Sequence, residues 1–221
     1  MENQISVIVT AFNEEKYIGR CLRSLLSQNF HRYDYEIIII NDCSEDKTEF
    51  AIKQFISPFE EQIKLISNSE NRGLPYCLNL GIQVSNSKYI VRVDGDDFVN
   101  ENFLSCLHFQ IETIDELDAV KCDYIRVDED ENIISISDSL MEPIGCGIIF
   151  RRDALIEIGL YDTEFRFNEE RELMHRFKRR FKVGHIPLPL YRYRQHDQSM
   201  TRNKELKNHY DNLLNKKLAL K

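Results

Sequence analysis

The sequence predicts an α/β protein built on a largely parallel sheet, and three observations carry that expectation. From residue 5 to about 93, short β-branched runs alternate with longer amphipathic stretches, the pattern of successive β-α units. Asp, Asn and Thr cluster just past the ends of those runs, at 10–13, 41–46 and 94–97, where an open α/β sheet places its ligand crevice. The 221 residues are 42% hydrophobic and 30% charged with only 8 Gly and 5 Pro, so the chain can bury a substantial core and is not collagen-like, low-complexity or strongly disordered.

Each element follows from its local pattern. The first strand is expected over 5–10, and a helix over 14–28 would align Tyr17, Ile18, Cys21, Leu22, Leu25 and Leu26 on one stripe. Strands over 35–40, 63–67 and 89–93 alternate with helices over 45–56 and 74–84. After a helix over 102–113 the rhythm breaks, and 119–137 reads as an antiparallel hairpin with an acidic turn at 128–132. A strand at 148–150, a short helix from Arg152, a carboxylate-rich stretch at 167–181 and a run at 187–193 complete a second wall. The tail, 204–220, places Leu206, Tyr210, Leu213, Leu214 and Leu218 at mostly helical spacing among lysines. From Arg202 to Lys221, six Lys or Arg face only Glu205 and Asp211. Its apolar side must meet the tail's own domain, a second copy, or an anionic membrane surface.

Charge and cysteine usage narrow the class. A net charge of -8 and a pI near 5.3 argue against a protein that coats nucleic acid. No window approaches the ~20 apolar residues of a membrane helix, and the N-terminus lacks the regions of a signal peptide, so a cytoplasmic protein is expected. The six cysteines are scattered singly without a C-x-x-C pair, as expected of reduced structural thiols.

Several clusters can carry chemistry. Asp94-Gly95-Asp96-Asp97 follows an apolar strand directly. Crowded carboxylates at a strand end either form a solvated acidic turn or hold a hard cation such as Mg²⁺ or Mn²⁺ on a diphosphate. Asp42 could accept from a nucleoside or cap the next helix. Arg72 follows the third strand and either reaches the crevice or lies on the surface. Glu169 and Glu170 open a helix, where carboxylates also complement the helix dipole. In the late loop 191–199, His196 is a candidate metal ligand, and Arg194 and Ser199 are candidates for phosphate oxygens.

These features occur in one order, and in that order the chain resembles the inverting family 2 glycosyltransferases of the GT-A fold over residues 4 to about 203. The run Ser6-Val7-Ile8-Val9-Thr10-Ala11-Phe12-Asn13-Glu14 is similar to that family's opening strand and nucleotide-contacting loop. Residues 40–46 resemble its Asp-Asp-Gly-Ser-x-Asp motif, with Asn41 and Cys43 standing where the family has Asp and Gly. Residues 71–74 resemble its Asn-x-Gly loop, and 94–97 its metal motif. Residues 169–173 resemble its Glu-Asp-x-x-Leu base motif, with Glu170 in place of Asp, and 193–199 its Tyr-Arg-x-His-x-x-Ser loop.

The resemblance implies a single GT-A domain over 1–203. A Rossmann-like nucleotide-binding half (1–98) would merge with a smaller mixed or antiparallel acceptor-side half (99–203), with 204–221 as a basic amphipathic C-terminal helix. It implies transfer of a sugar from a nucleoside diphosphate donor, by preference a UDP-sugar, to a glycan or lipid-linked acceptor hydroxyl with inversion, in the synthesis of surface polysaccharide or lipopolysaccharide. Glu170 would be the catalytic base, and Asp96 with His196 would hold Mn²⁺ or Mg²⁺. Thr10, Phe12, Glu14, Asp42, Arg72, Asp94, Gly147, Glu169, Arg194 and Ser199 would contact the substrates. The implied location is the cytoplasm, peripheral to the inner face of the membrane if the tail binds lipid. The alternative is a nucleotide-sugar-binding scaffold of the same fold that has lost turnover.

Overall fold

The computed structural model describes residues 3–196 and 204–219. In the first half, strands β1 (Ile5–Ala11), β2 (Tyr35–Asn41), β3 (Ile63–Ser67) and β4 (Tyr89–Asp94) alternate with helices α1 (Ile18–Leu26), α2 (Thr48–Ile56) and α3 (Leu74–Val84). The strands pair in parallel in the order β3-β2-β1-β4, with Ala11 opposite Asn41 and Thr10 opposite Asp94. That register gathers the polar residues after three strands at one edge of the sheet. The strands are covered on both faces, which explains unbroken apolar runs such as 37–40. Val7, Val9, Ile37, Ile39, Val91 and Val93 pack in one cluster with Ile18, Leu22, Leu25 and Ile52, whereas Ile8 and Ile90 pack with Leu78 and Ile82 of α3.

Two helices start later than the periodicity predicts, for a common reason. Residues before α1 and α2 make cross-bonds instead of helical ones. The Glu14 amide donates to Thr48 Oγ1 at 2.7 Å, the Lys47 amide to Glu15 Oε2 at 2.8 Å and the Glu45 amide to Asn13 Oδ1 at 2.9 Å. Asp46 then accepts from the Thr48 amide at 2.9 Å, just ahead of the first turn of α2.

The second half contains β5 (Phe98–Val99), α4 (Phe103–Thr113), β6 (Ala119–Val127), β7 (Ile133–Ser137), β8 (Ile148–Arg151), α5 (Arg152–Glu157), α6 (Glu169–Phe177), β9 (Val183–Arg194) and α7 (Lys204–Ala219). The predicted hairpin is β6 with β7. Strand β8 inserts antiparallel between β4 and β6, so one sheet runs through both halves. Strand β9 lies parallel to β6 and is longer than the predicted run. Its pairing shifts register opposite Cys122–Tyr124, where Pro187 and Pro189 have no N–H to offer the ladder.

Helix α7 docks on its own domain. Tyr210 and Leu214 are buried against Phe165, so this face is turned to the fold rather than to a membrane or a second copy. All six cysteines are free thiols. Among the described residues, no helix is long and apolar enough to cross a membrane.

Candidate active site

The ends of β1, β2 and β4 open onto a cavity of about 560 Å³, closed on the far side by residues 143–146 and 166–170. Of the residues singled out from sequence, Thr10, Phe12, Glu14, Asp42, Asp94, Asp96, Glu169, Glu170 and His196 line it together. Arg72, Gly147 and Arg194 are not among the lining residues, and Ser199 lies outside the described residues.

The acidic turn after β4 divides its three carboxylates among three tasks. Asp94 is gripped by Arg92, with Nε to Oδ1 at 2.7 Å and Nη2 to Oδ2 at 3.0 Å. Asp96 reaches His196, Oδ2 to Nε2 at 2.9 Å, and the imidazole lies 5.0 Å from the Tyr17 ring. Asp97 turns inward and is buried. It accepts from the Arg194 amide at 2.7 Å and the Tyr191 hydroxyl at 2.7 Å, and burial followed by the repulsion of Asp96 and Asp94 holds its carboxyl well above the usual range. Nearby, burial and then the charges of Asp96 and Asp94 push Glu14 up to about 9. A carboxyl that must keep its proton beside two other acids marks a site with surplus negative charge. The donor set of carboxylate oxygens and one imidazole suits Mn²⁺ or Mg²⁺, so the residues present fit a dication.

Arg194 holds this turn from behind. Its Nε donates to the Asp96 carbonyl at 2.9 Å, Nη1 to the Glu129 carbonyl at 2.9 Å and Nη2 to Glu131 at 3.1 Å, with the guanidinium 4.8 Å from the Tyr17 ring centre. The 128–132 turn of the hairpin is thereby tied to the acidic turn, and the expected phosphate ligand is committed to protein oxygens.

Across the cavity, Arg92 joins β4 to the first turn of α6 through Glu169, Nη1 to Oε1 at 2.9 Å. Burial opposes its charge, but Asp94 and Glu169 outweigh that and raise its pKa well above the ordinary value. Glu170 is left beside this locked pair. Burial first and the Glu169 charge second push its carboxyl up to about 7. Gly145 makes room for it: a Cβ there would lie 2.7 Å from Arg92 Nη1 and 3.0 Å from Glu170 Cβ. Sequence reasoning missed Arg92, and of the stretch 145–147, where it expects donor selectivity to lie, it singled out Gly147 rather than Gly145. The signal for Arg92 was a cation inside an apolar strand, two residues before Asp94 and hence on the same face. Gly147, named instead, has φ +72 and faces Cys122 and Tyr191.

On the other flank, Asp42 braces a loop. Its Oδ1 accepts from Asn68 Nδ2 at 2.7 Å and the Arg72 amide at 2.9 Å, and its Oδ2 from the Gly73 amide at 2.8 Å, rather than capping α2. The Arg72 guanidinium pairs with Glu70 and sits 4.9 Å from the Tyr76 ring centre. Asn41 donates to Glu49 at 3.1 Å, a contact an Asp would turn into repulsion. Cys43, where a Gly is usual, adopts φ +62.

Residues 6–137, which hold the parallel strand ends and the acidic turn but not the facing glutamates, match the model of the glycosyl transferase family 2. The chain belongs to that family. An uncharacterized glycosyltransferase of Haemophilus influenzae is 36% identical over 122 residues, covering 54% of this family 2 chain and 37% of its own length. The crystal structure of Staphylococcus aureus TarS 1-349 in complex with UDP superposes with a TM-score of 0.77 at 20% identity, over 88% of this chain and 61% of that one. The Pyrobaculum calidifontis mannosyltransferase PcManGT, in complex with GDP-Man and Mn²⁺, superposes with a TM-score of 0.73 at 16% identity, over 90% and 59% respectively. The fold is therefore GT-A, and this chain spans less than two thirds of each of these relatives.

Proposed function

We propose that this chain transfers a sugar from a nucleoside diphosphate donor, a UDP-sugar by preference, to an acceptor hydroxyl with inversion. The observation that carries the reading is the Glu170 carboxyl, held near 7 at the wall of the cavity that also contains Asp94, Asp96 and His196. A base is most effective when its pKa lies near the working pH. Glu170 takes the proton of the acceptor hydroxyl as that oxygen attacks the anomeric carbon opposite the leaving nucleotide, and the configuration inverts. Glu169, paired with Arg92, keeps the first turn of α6 in place beside it. Phe12, exposed at the cavity mouth, offers a stacking face for the base, and Thr10 lines the wall beside it. The Asp42-braced loop shapes the nucleoside flank, and Arg72 supports it from outside the lining through its amide.

Asp96 and His196, with Asp94, would hold Mn²⁺ or Mg²⁺, which when bound supplies positive charge to the diphosphate leaving group. Arg194 positions the Asp96 turn, and Ser199 completes the phosphate side in the family pattern. TarS is a poly(ribitol-phosphate) beta-N-acetylglucosaminyltransferase, and solved structures of it hold UDP and UDP-GlcNAc. That likeness supports uridine in the donor and a surface polymer as acceptor; a lipid-linked glycan acceptor and a reaction on the cytoplasmic side belong to the same proposal.

A panel of nucleotide sugars including UDP-GlcNAc and GDP-Man, assayed for nucleoside diphosphate release with and without Mn²⁺, tests the reading. Metal-dependent release from one donor, with an inverted product linkage by NMR, is the expected result. Full release in EDTA would remove the metal assignment, and retention of configuration would remove the single-displacement mechanism.

A further inference from the structure

The wall that carries Glu170 is not part of the sheet. Between α5 and α6 the chain runs without regular structure, bounded by Gly159 and Leu160 at φ +88 and +62 and by Asn168 at φ +62. Residues 166–168 of this strap and 169–170 of α6 line the cavity. From the inner side, Arg92 holds Glu169. From within the acceptor half, Arg176 ties Glu172 to the carbonyls of Ile158 and Leu160.

The outer side is held by α7. Asp211 Oδ1 accepts from Asn168 Nδ2 at 2.9 Å and from Arg171 Nη1 at 2.7 Å. Lys217 bridges Asp162 and Glu172, the latter at 3.0 Å. Asn168 occupies the N-cap position of α6, where an Asn side chain ordinarily accepts from the first-turn amides. Here it makes no such bond, and its amide turns outward to Asp211. A helix that only covered Phe165 would need Tyr210 and Leu214 alone. The polar contacts instead fall on Asn168, Arg171 and Glu172, which flank Glu169 and Glu170, and on Asp162 at the start of the strap.

We propose that Asp211 and Lys217 are positioning residues for transfer, fixing the strap and the first turn of α6 so that the Glu170 carboxylate meets the acceptor hydroxyl. The inference rests on Glu170 being the base. Without Asp211, Asn168 is released to cap its own helix, Arg171 loses its partner, and the first turn carrying Glu170 shifts. A displacement near 1 Å can lower a rate by up to ~10²-fold.

In the full chain, Asp211→Ala and Lys217→Met are expected to lower kcat by ~10- to 10²-fold while donor KM stays within ~2-fold, and Asp211→Glu should recover most of the loss. Amide exchange across 166–172, which needs no turnover, should accelerate in Asp211→Ala by at least ~10-fold. A lower melting temperature with parental kcat per folded molecule, or unchanged exchange across the strap, would overturn the proposal and leave α7 as a cover for Phe165. Glu170→Gln in the same assay separates the two readings. Parental turnover there removes the base assignment itself, whereas an inactive Glu170→Gln beside a fully active Asp211→Ala removes only the positioning role.

Discussion

Glu170 combines two physical pressures that a surface carboxylate does not feel, burial and the neighbouring Glu169 charge, and both push its proton affinity toward neutrality. Transfer should therefore rise with pH as the carboxyl ionises through about 7. Glu170→Gln should lower kcat by at least ~10²-fold and abolish that limb of the pH profile, with donor binding and melting near parental values. Pre-steady-state measurement of transfer from pH 5.5 to 8.5 checks both. A helix-dipole role alone would involve only ~0.3 to 1 kcal/mol, too little for such a rate loss. At the same scale, Cys43 shows how a departure from a family pattern is absorbed. The backbone there keeps the left-handed conformation that favours Gly, which disfavours an L-residue by ~1–2 kcal/mol, so the turn geometry persists although the residue type does not.

Between elements, Arg92 is the bolt that joins β4 to α6, with Asp94 on one side and Glu169 on the other. Arg92→Leu leaves two carboxylates crowded and without their cation, and breaking a buried pair in this way typically costs about 3–5 kcal/mol. We expect a fall in melting temperature of roughly 6–20 °C for a chain of this size, partly relieved by adding Glu169→Gln, as differential scanning calorimetry of the single and double variants would show. The elements themselves were largely legible in the sequence. Strands 5–10, 35–40, 63–67 and 89–93 lie within a residue of those observed, because a sheet covered on both faces demands unbroken β-branched runs. The parallel pairing of β6 with β9 was not legible, since local periodicity carries no record of which strand lies alongside. For the same reason the motifs placed Glu170 and Asp96 in one cavity, while Arg92 and the roles of Asp42 and Arg194 as braces emerged only from side chains meeting across distant segments. Composition and spacing do not separate the three clustered Asp residues; the resemblance gives roles to Asp94 and Asp96, and packing assigns Asp97 to the interior.

The molecule as a whole carries a charge imbalance that sets its response to pH. Glu170 and Glu14 are raised from an ordinary 4.5 to about 7 and about 9, so each binds more protons in the folded chain than in the unfolded one between those values. The stability these two groups contribute falls as pH rises across that window, the reverse of the trend for salt-bridged carboxylates such as Asp162 and Glu172, whose lowered values contribute stability above their ordinary range and lose it in acid. A dication displaces protons from such a cluster, so Mn²⁺ should raise the melting temperature more at pH 8 than at pH 5.5. Thermal scans at both pH values with and without Mn²⁺ test this, and an equal shift at the two would show that the acidic turn is not the ion's site. The pairing of Asp96 with His196 spans 100 residues of chain. During synthesis at ~5–20 residues per second, several seconds or more separate the emergence of the two partners. A nascent chain that has assembled β1 to β4 still lacks the imidazole of the proposed metal cluster. If Asp96 and His196 hold the ion as proposed, ligand-linked stabilisation is reserved for chains translated past His196, and a ribosome stalled before that point releases a polypeptide that Mn²⁺ does not rescue through this contact.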